Sequence, residues 1–144
     1  MTRFLKEFLA NFKTTGAICP SSSHLAEAMA NSKVLGSSKC IVELGSGTGA
    51  ITEKILAKIP RNCAFFALEI NPKFIEITKK KCPAATVYSD SALNIKKYLK
   101  KHKAKHCDTI ISSLPWTFFD KETQHRLLNS LSQSLPPGGK MLTY

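Results

Sequence analysis

The run Glu43-Leu44-Gly45-Ser46-Gly47-Thr48-Gly49 follows a short apolar stretch and precedes a helical pattern. Glycines at three alternate positions leave the backbone bare for a ligand and permit positive φ. The helix expected over 50–59 points its unpaired N–H groups at the same spot. Glu69 closes a second apolar run, over 63–70, and stands 20 residues past Gly49. A carboxylate at that point of an α/β fold accepts hydrogen bonds from ribose hydroxyls. These parts describe a nucleoside cofactor site. Dinucleotide sites use G-x-G-x-x-G, with a pyrophosphate on the helix end. Here the spacing is G-x-G-x-G, led by Glu43, whose charge would repel a pyrophosphate but suits an ammonium or a sulfonium.

The elements that must position this turn follow from periodicity. An apolar strand over 39–44 precedes it, and a helix over 50–59 carries Ile51, Ile55, Leu56 and Ile59 on one stripe. After the second strand, Asn71 caps and Pro72 starts a helix that ends in Lys79, Lys80 and Lys81. A third strand over 85–88 leads to Ser89 and Asp90, and a helix over 91–101 follows. A fourth strand over 108–112 ends in Ser113-Leu114-Pro115-Trp116. A helix over 121–135 and a turn at Pro136-Pro137-Gly138-Gly139 lead to a fifth strand from Lys140 to Tyr144. A helix over 21–34 precedes them all. Alternating strands and helices predict an α/β fold, a doubly wound parallel sheet with right-handed crossovers. Ligands of such sheets bind beyond the strands' carboxyl ends, where Glu43 to Gly49, Glu69, Asp90 and Ser112 to Trp116 all fall.

At 144 residues the chain is one domain, here taken as residues 14–144, with a distinct segment over 1–13 in front. On a helix, Phe4, Leu5, Phe8, Leu9 and Phe12 fall within an arc of about 140°, opposite mostly basic charge. That pattern suits an interfacial membrane helix, or a helix packed on the domain or a partner. Lys and Arg number 21 against 10 Asp and Glu, a net charge of +11 that favours a polyanionic partner, anionic lipid or nucleic acid. The five cysteines form no C-x-x-C pair and read as free thiols of a reducing compartment. No metal site is expected, and His102 and His106 read as part of a solvated lysine-rich linker. No apolar run reaches the ~20 residues needed to span a bilayer. A cytoplasmic protein, peripherally attached to the inner face of the membrane, is expected.

The glycine turn resembles motif I of the class I S-adenosylmethionine-dependent methyltransferases. With the amphipathic segment, Gly16 to Ser22, Ser112 to Trp116 and Pro137-Gly138-Gly139, the chain resembles the bacterial phospholipid N-methyltransferases, relatives of the ribosomal RNA adenine dimethylases. The resemblance implies S-adenosylmethionine as cofactor and a phosphatidylethanolamine-type amine as acceptor, with ribosomal RNA adenine N6 as the alternative. It assigns Gly45, Gly47 and Gly49 to close approach of the donor, and Glu43 to the turn or the donor's amino group. Glu69 is assigned to the ribose, Asp90 with Ser91 to the adenine edge, and Ile70 to the adenine face. Adenine dimethylases carry Asn-x-Pro and an aromatic residue where this sequence has Ser113, Leu114, Pro115 and Trp116. Serine lacks the amide's paired donor and acceptor, which argues against adenine. For an amine acceptor, Ser113 and Leu114 would orient the nitrogen, while Trp116, Phe118, Phe119 and Tyr144 are candidate walls for a methylated ammonium. Asp120, His125 and Tyr144 are candidate bases. The basic runs at 79–81 and 96–105 are expected to hold anionic lipid, at about 1 kcal/mol per well-placed lysine. The family adds two strands beyond the fifth, so either a C-terminally truncated chain or a dimer covering the fifth strand's edge is expected.

Overall fold

A computed structural model describes residues 23–144. The segment over 1–13 with Phe4, Leu5, Phe8, Leu9 and Phe12, and the link from Gly16 to Ser22, lie outside the described residues.

Five parallel strands form one sheet. They are β1 (Cys40–Leu44), β2 (Ala64–Glu69), β3 (Val87–Ser89), β4 (Thr109–Ser112) and β5 (Lys140–Thr143), in the order β3-β2-β1-β4-β5. The chain winds outward from β1 to β3, then returns to the other side of β1 for β4 and β5. The order therefore reverses between β1 and β4, where sheets of this kind open a crevice at their carboxyl rim.

Strand residues alternate between two cores, as the pleat requires. Ile41, Phe65, Ala67 and Ile111 pack beneath α1 (Ser23–Met29), α2 (Ser32–Leu35), α3 (Ala50–Leu56) and α4 (Pro72–Lys81). Val42, Leu44, Phe66, Leu68 and Ile110 pack beneath α5 (Ile95–Lys101) and α6 (Lys121–Ser132). All five residues of β1 are buried, which explains why it reads as an apolar run rather than an alternating one.

Several element bounds differ from the sequence expectation, each for a local reason. The helix expected over 21–34 is broken by Asn31, whose Oδ1 accepts from Lys33 N at 3.0 Å and Val34 N at 3.4 Å and starts α2 afresh. The helix expected over 50–59 closes at Leu56, and Ile59 still packs on the core from the following turn. The helix expected from residue 91 opens as a 3-10 turn, Ala92–Asn94, capped by Ser91 Oγ. The third strand begins two residues late because Ala85 N is turned back to Cys82 O at 2.9 Å. Helix α6 ends at Ser132 rather than at residue 135.

His102 corrects the expectation of a solvated linker. Its ring stacks on Phe66 with centroids 4.8 Å apart, and Nε2 lies 3.0 Å from the Tyr88 hydroxyl. The His102 backbone closes α5, so the side chain folds back over the sheet. Cys40, Cys63, Cys82 and Cys107 are free thiols, and burial raises Cys40 to about 11 and Cys107 to about 12. Among the described residues there is no cluster of metal-ligating side chains and no helix long and apolar enough to cross a membrane. β5 lies at one edge of the sheet, with Met141 and Leu142 half-buried.

Phe66 is fully buried between β2 and the α5 aromatic cluster. Phe66→Ala is expected to cost about 3–5 kcal/mol, read as a lower urea midpoint with an unchanged m-value.

Candidate active site

The glycine turn is held at the carboxyl rim by its neighbours on both sides of β1. Gly45 N donates to Leu68 O at 2.9 Å, and Ser113 N donates to Leu44 O at 2.9 Å. Gly47, with φ 53°, turns its N–H to Glu69 Oε2 at 3.0 Å, and a Cβ there would meet no atom within 4 Å. The space above Gly47 is thus open to a ligand. Gly49, with φ 79°, starts α3 with only 3.3 Å between a would-be Cβ and Thr78 Cα on α4. This close helix approach leaves no room for a side chain at 49.

A cavity of about 540 Å³ opens on this rim. Gly45, Leu68, Glu69, Ile70 and Ser91 form one wall, beside Asp90. Leu114, Phe119, Thr123, Arg126 and Leu127 form the other, beside Asp120. Eight residues expected from the sequence thus meet at one cavity: Gly45, Glu69, Ile70, Asp90, Ser91, Leu114, Phe119 and Asp120. Glu43, Gly47, Gly49, Ser113, Trp116 and Tyr144 are not on its wall. The Ser113 carbonyl faces Gly45 instead. Trp116 Nε1 donates to the buried Ser112 Oγ at 3.2 Å, and its ring meets Phe119 edge-on at 6.2 Å. Tyr144 follows β5 and is 57% exposed.

Glu69 is 7% exposed, and its oxygens serve the protein's own backbone. Oε1 accepts from Ile70 N at 2.8 Å and Asn71 N at 2.9 Å, while Oε2 accepts from Gly47 N. With about two acceptor positions per oxygen, one remains, on Oε2. Asp90 is more fully engaged. Oδ1 accepts from Ser91 N and Asn94 Nδ2, both at 2.7 Å, and Oδ2 accepts from Tyr98 Oη at 2.8 Å and Lys97 Nζ at 3.1 Å. Although burial opposes ionisation, these donors together hold the carboxyl far below the usual range. Lys97, with a side chain 67% exposed, is one of the donors a nucleobase amine could displace.

Glu43 lies beneath the turn, fully buried. Thr52 Oγ1 donates to Oε2 at 2.7 Å, and Oε1 has no partner among the described residues. Burial lifts the carboxyl to about 8; the Thr52 hydrogen bond opposes that rise and the Glu69 charge adds to it. Near neutrality the side chain is mostly protonated, which removes the repulsion expected of an ion at this position.

Asp120 caps α6 by accepting from Thr123 N at 2.7 Å, and this bond holds its carboxyl below the ordinary value. An acid so stabilised as a carboxylate is a weak proton acceptor. Exposed His125 is not on the cavity wall. Sequence reasoning missed Thr123, Arg126 and Leu127, although their i, i+3, i+4 spacing on α6 marks one helical face. It also missed Thr78, a fully buried polar residue on the inner stripe of α4.

The nucleoside-type wall, the glycine turn and the strand order together define a methyltransferase of the Rossmann-like class. The methyltransferase domain family matches residues 41–139, and the chain belongs to it, among the class I S-adenosylmethionine-dependent enzymes. Ornithine lipid N-methyltransferase of Singulisphaera acidiphila is 27% identical over 139 residues, 94% of this chain and 72% of that protein. Malonyl-[acyl-carrier protein] O-methyltransferase 1 of Ilyobacter polytropus is 32% identical over 101 residues, 70% of this chain but 35% of that protein. Among solved structures, the N-methyltransferase NodS of Bradyrhizobium japonicum, in complex with S-adenosyl-L-homocysteine, has a TM-score of 0.67 at 17% identity. That match covers 86% of this chain and 61% of NodS, and at such identity the likeness is one of fold.

The residues fit S-adenosylmethionine, the cofactor of the family. The cavity is large enough, Ile70 and Leu114 give a ring apolar faces, Glu69 keeps one acceptor position, and Gly47 leaves its backbone open.

The Glu43 carboxyl has a folded value of about 8, above the ordinary 4.5, so the native state holds the extra proton between these limits. Its contribution to stability therefore falls as pH rises from about 4.5 to about 8. Glu43→Gln is expected to match the parent at pH 5 and exceed it at pH 8.5, measured by urea unfolding across that range.

Proposed function

We propose that the chain moves a methyl group from S-adenosylmethionine to the amine of a membrane aminolipid, phosphatidylethanolamine or a head group of that kind, at the inner face of the membrane. The observation that carries this reading is the pairing of walls in one cavity. Glu69 and Ile70 share the cavity with the apolar Leu114, Phe119 and Leu127 and with Thr123, Asp120 and one cation, Arg126. The lipid substrate of the Singulisphaera relative supports the same class of acceptor.

S-adenosylmethionine, when bound, supplies a methyl already activated on a sulfonium. What remains for the protein is to hold a neutral amine about 3–3.5 Å from that carbon, in line with the bond that breaks. Gly45 and the open backbone at Gly47 admit the donor, the free position on Glu69 Oε2 takes a ribose hydroxyl, and Ile70 lies against the adenine. Phe119 gives the acceptor an aromatic face that suits an ammonium gaining methyls. Arg126 offers a charge to the head group's phosphate or carboxylate. Ser113 and Leu114 present the adjoining backbone, and Trp116 acts from behind Phe119.

Helices that follow parallel strands run from the rim to the far end of the sheet. Lys97, Lys121 and Arg126 are on the rim halves of α5 and α6, whereas Lys79–Lys81 and Lys100–Lys105 end at the opposite side. A membrane that meets the cavity mouth therefore meets the first set. The amphipathic segment with Phe4, Leu5, Phe8, Leu9 and Phe12 would add to that contact.

Radiolabelled donor is to be incubated with the full chain and, separately, anionic vesicles containing phosphatidylethanolamine or an ornithine lipid, and ribosomal RNA. Label in the vesicle lipid is expected; label in RNA alone overturns the lipid reading. Glu69→Gln is expected to weaken S-adenosylhomocysteine binding ~10-fold or more by calorimetry, since the acceptor and a turn support are lost together.

A further inference from the structure

Residue 47 is held on one side by the end of β2 and on the other by α4. Its N–H is held by Glu69 Oε2, and that glutamate anchors the start of α4 through Ile70 N and Asn71 N. Its carbonyl accepts a hydrogen bond from Thr78 Oγ1 of the same helix at 2.8 Å. Thr78 is fully buried, and its hydroxyl also lies 3.4 Å from Ser46 Oγ. One turn further on, the Cys82 thiol approaches Gly49 O at 3.8 Å. The inner face of α4 thus runs along one side of the glycine turn, and the turn's Gly45 lies on the cavity wall.

A bound cofactor would place a second donor on the Glu69 oxygen that holds the turn. Oε1 is saturated by two backbone donors, so a ribose hydroxyl must share Oε2 with Gly47 N. Sharing weakens or lengthens the bond that aims the turn. The Thr78 bond to the opposite side of residue 47 is untouched by the ligand and keeps the turn in place during that exchange. Without the hydroxyl, the Gly47 carbonyl would lose its partner, and a glycine at φ 53° has many other conformations to visit.

We infer that Thr78 is a positioning residue for the cofactor: its hydroxyl holds the Gly47 peptide so that Glu69 can serve ribose and turn at once. The inference rests on the cofactor reading above. Nothing in the glycine motif points to Thr78, because it lies 31 residues away on another helix.

The test compares Thr78→Ser, which keeps the hydroxyl, with Thr78→Ala, which differs from it by that oxygen alone. Binding of S-adenosylhomocysteine to the full chain is measured by calorimetry, and exchange of the Gly47 amide is followed without ligand. The serine variant is expected to bind within about 3-fold of the parent. The alanine variant is expected to bind about 10-fold more weakly, the loss typical of one hydrogen bond, with faster Gly47 exchange and unchanged exchange at Val42 in β1. Equal affinity of the serine and alanine variants overturns the inference. If alanine unfolds the domain, the serine variant decides, since loss of affinity there means the hydroxyl is not what matters. A parent chain that fails to bind S-adenosylhomocysteine overturns the cofactor reading as well.

Discussion

One carboxylate joins the three elements that make the rim. Glu69 ends β2, caps the first backbone donors of the segment leading into α4, and receives the N–H of Gly47 from the turn after β1. It does this at 7% exposure, where an unpaired charge would be costly. Three backbone donors make the charge tolerable, and the charge in turn fixes three stretches of chain that are distant in sequence. The residue we propose for the ribose is therefore also part of the scaffold.

Beneath that layer, the chemistry of the rim is set by burial. Glu43 loses its charge near neutrality because nothing but the Thr52 hydroxyl solvates it. Asp90, nearer the surface, keeps its charge because four donors converge on it. Two acids, one within β1 and one just past β3, are thus driven to opposite ionisation states, the first by burial and the second by its donors.

Much of this was legible in the sequence, and the parts that were not have physical reasons. The parallel order, the turn at Gly45 to Gly49 and the cap at Asn71 with Pro72 follow from local chemistry and periodicity. So does the gathering of Glu69, Ile70, Asp90, Ser91 and Leu114, because all end parallel strands or begin the loops after them. What a motif cannot tell is where the lone pairs go. That Asp90 is saturated depends on Asn94, Lys97 and Tyr98 from the next helix, and that Trp116 turns inward depends on a buried serine at 112. His102 was misread for a similar reason. A lysine-rich surround suggests solvent, yet a single ring can fold over the sheet if Phe66 and Tyr88 offer it a face and a hydroxyl.

Trp116 is the one tryptophan in the chain. Its indole is tethered at nitrogen to Ser112 and set edge-on to Phe119, whose ring forms part of the cavity wall. The fluorophore therefore sits one ring behind the space a ligand would fill, anchored against the sheet. Its emission comes from a single place in the molecule, and a change in quantum yield or anisotropy on titration would register events at that rim without any added dye.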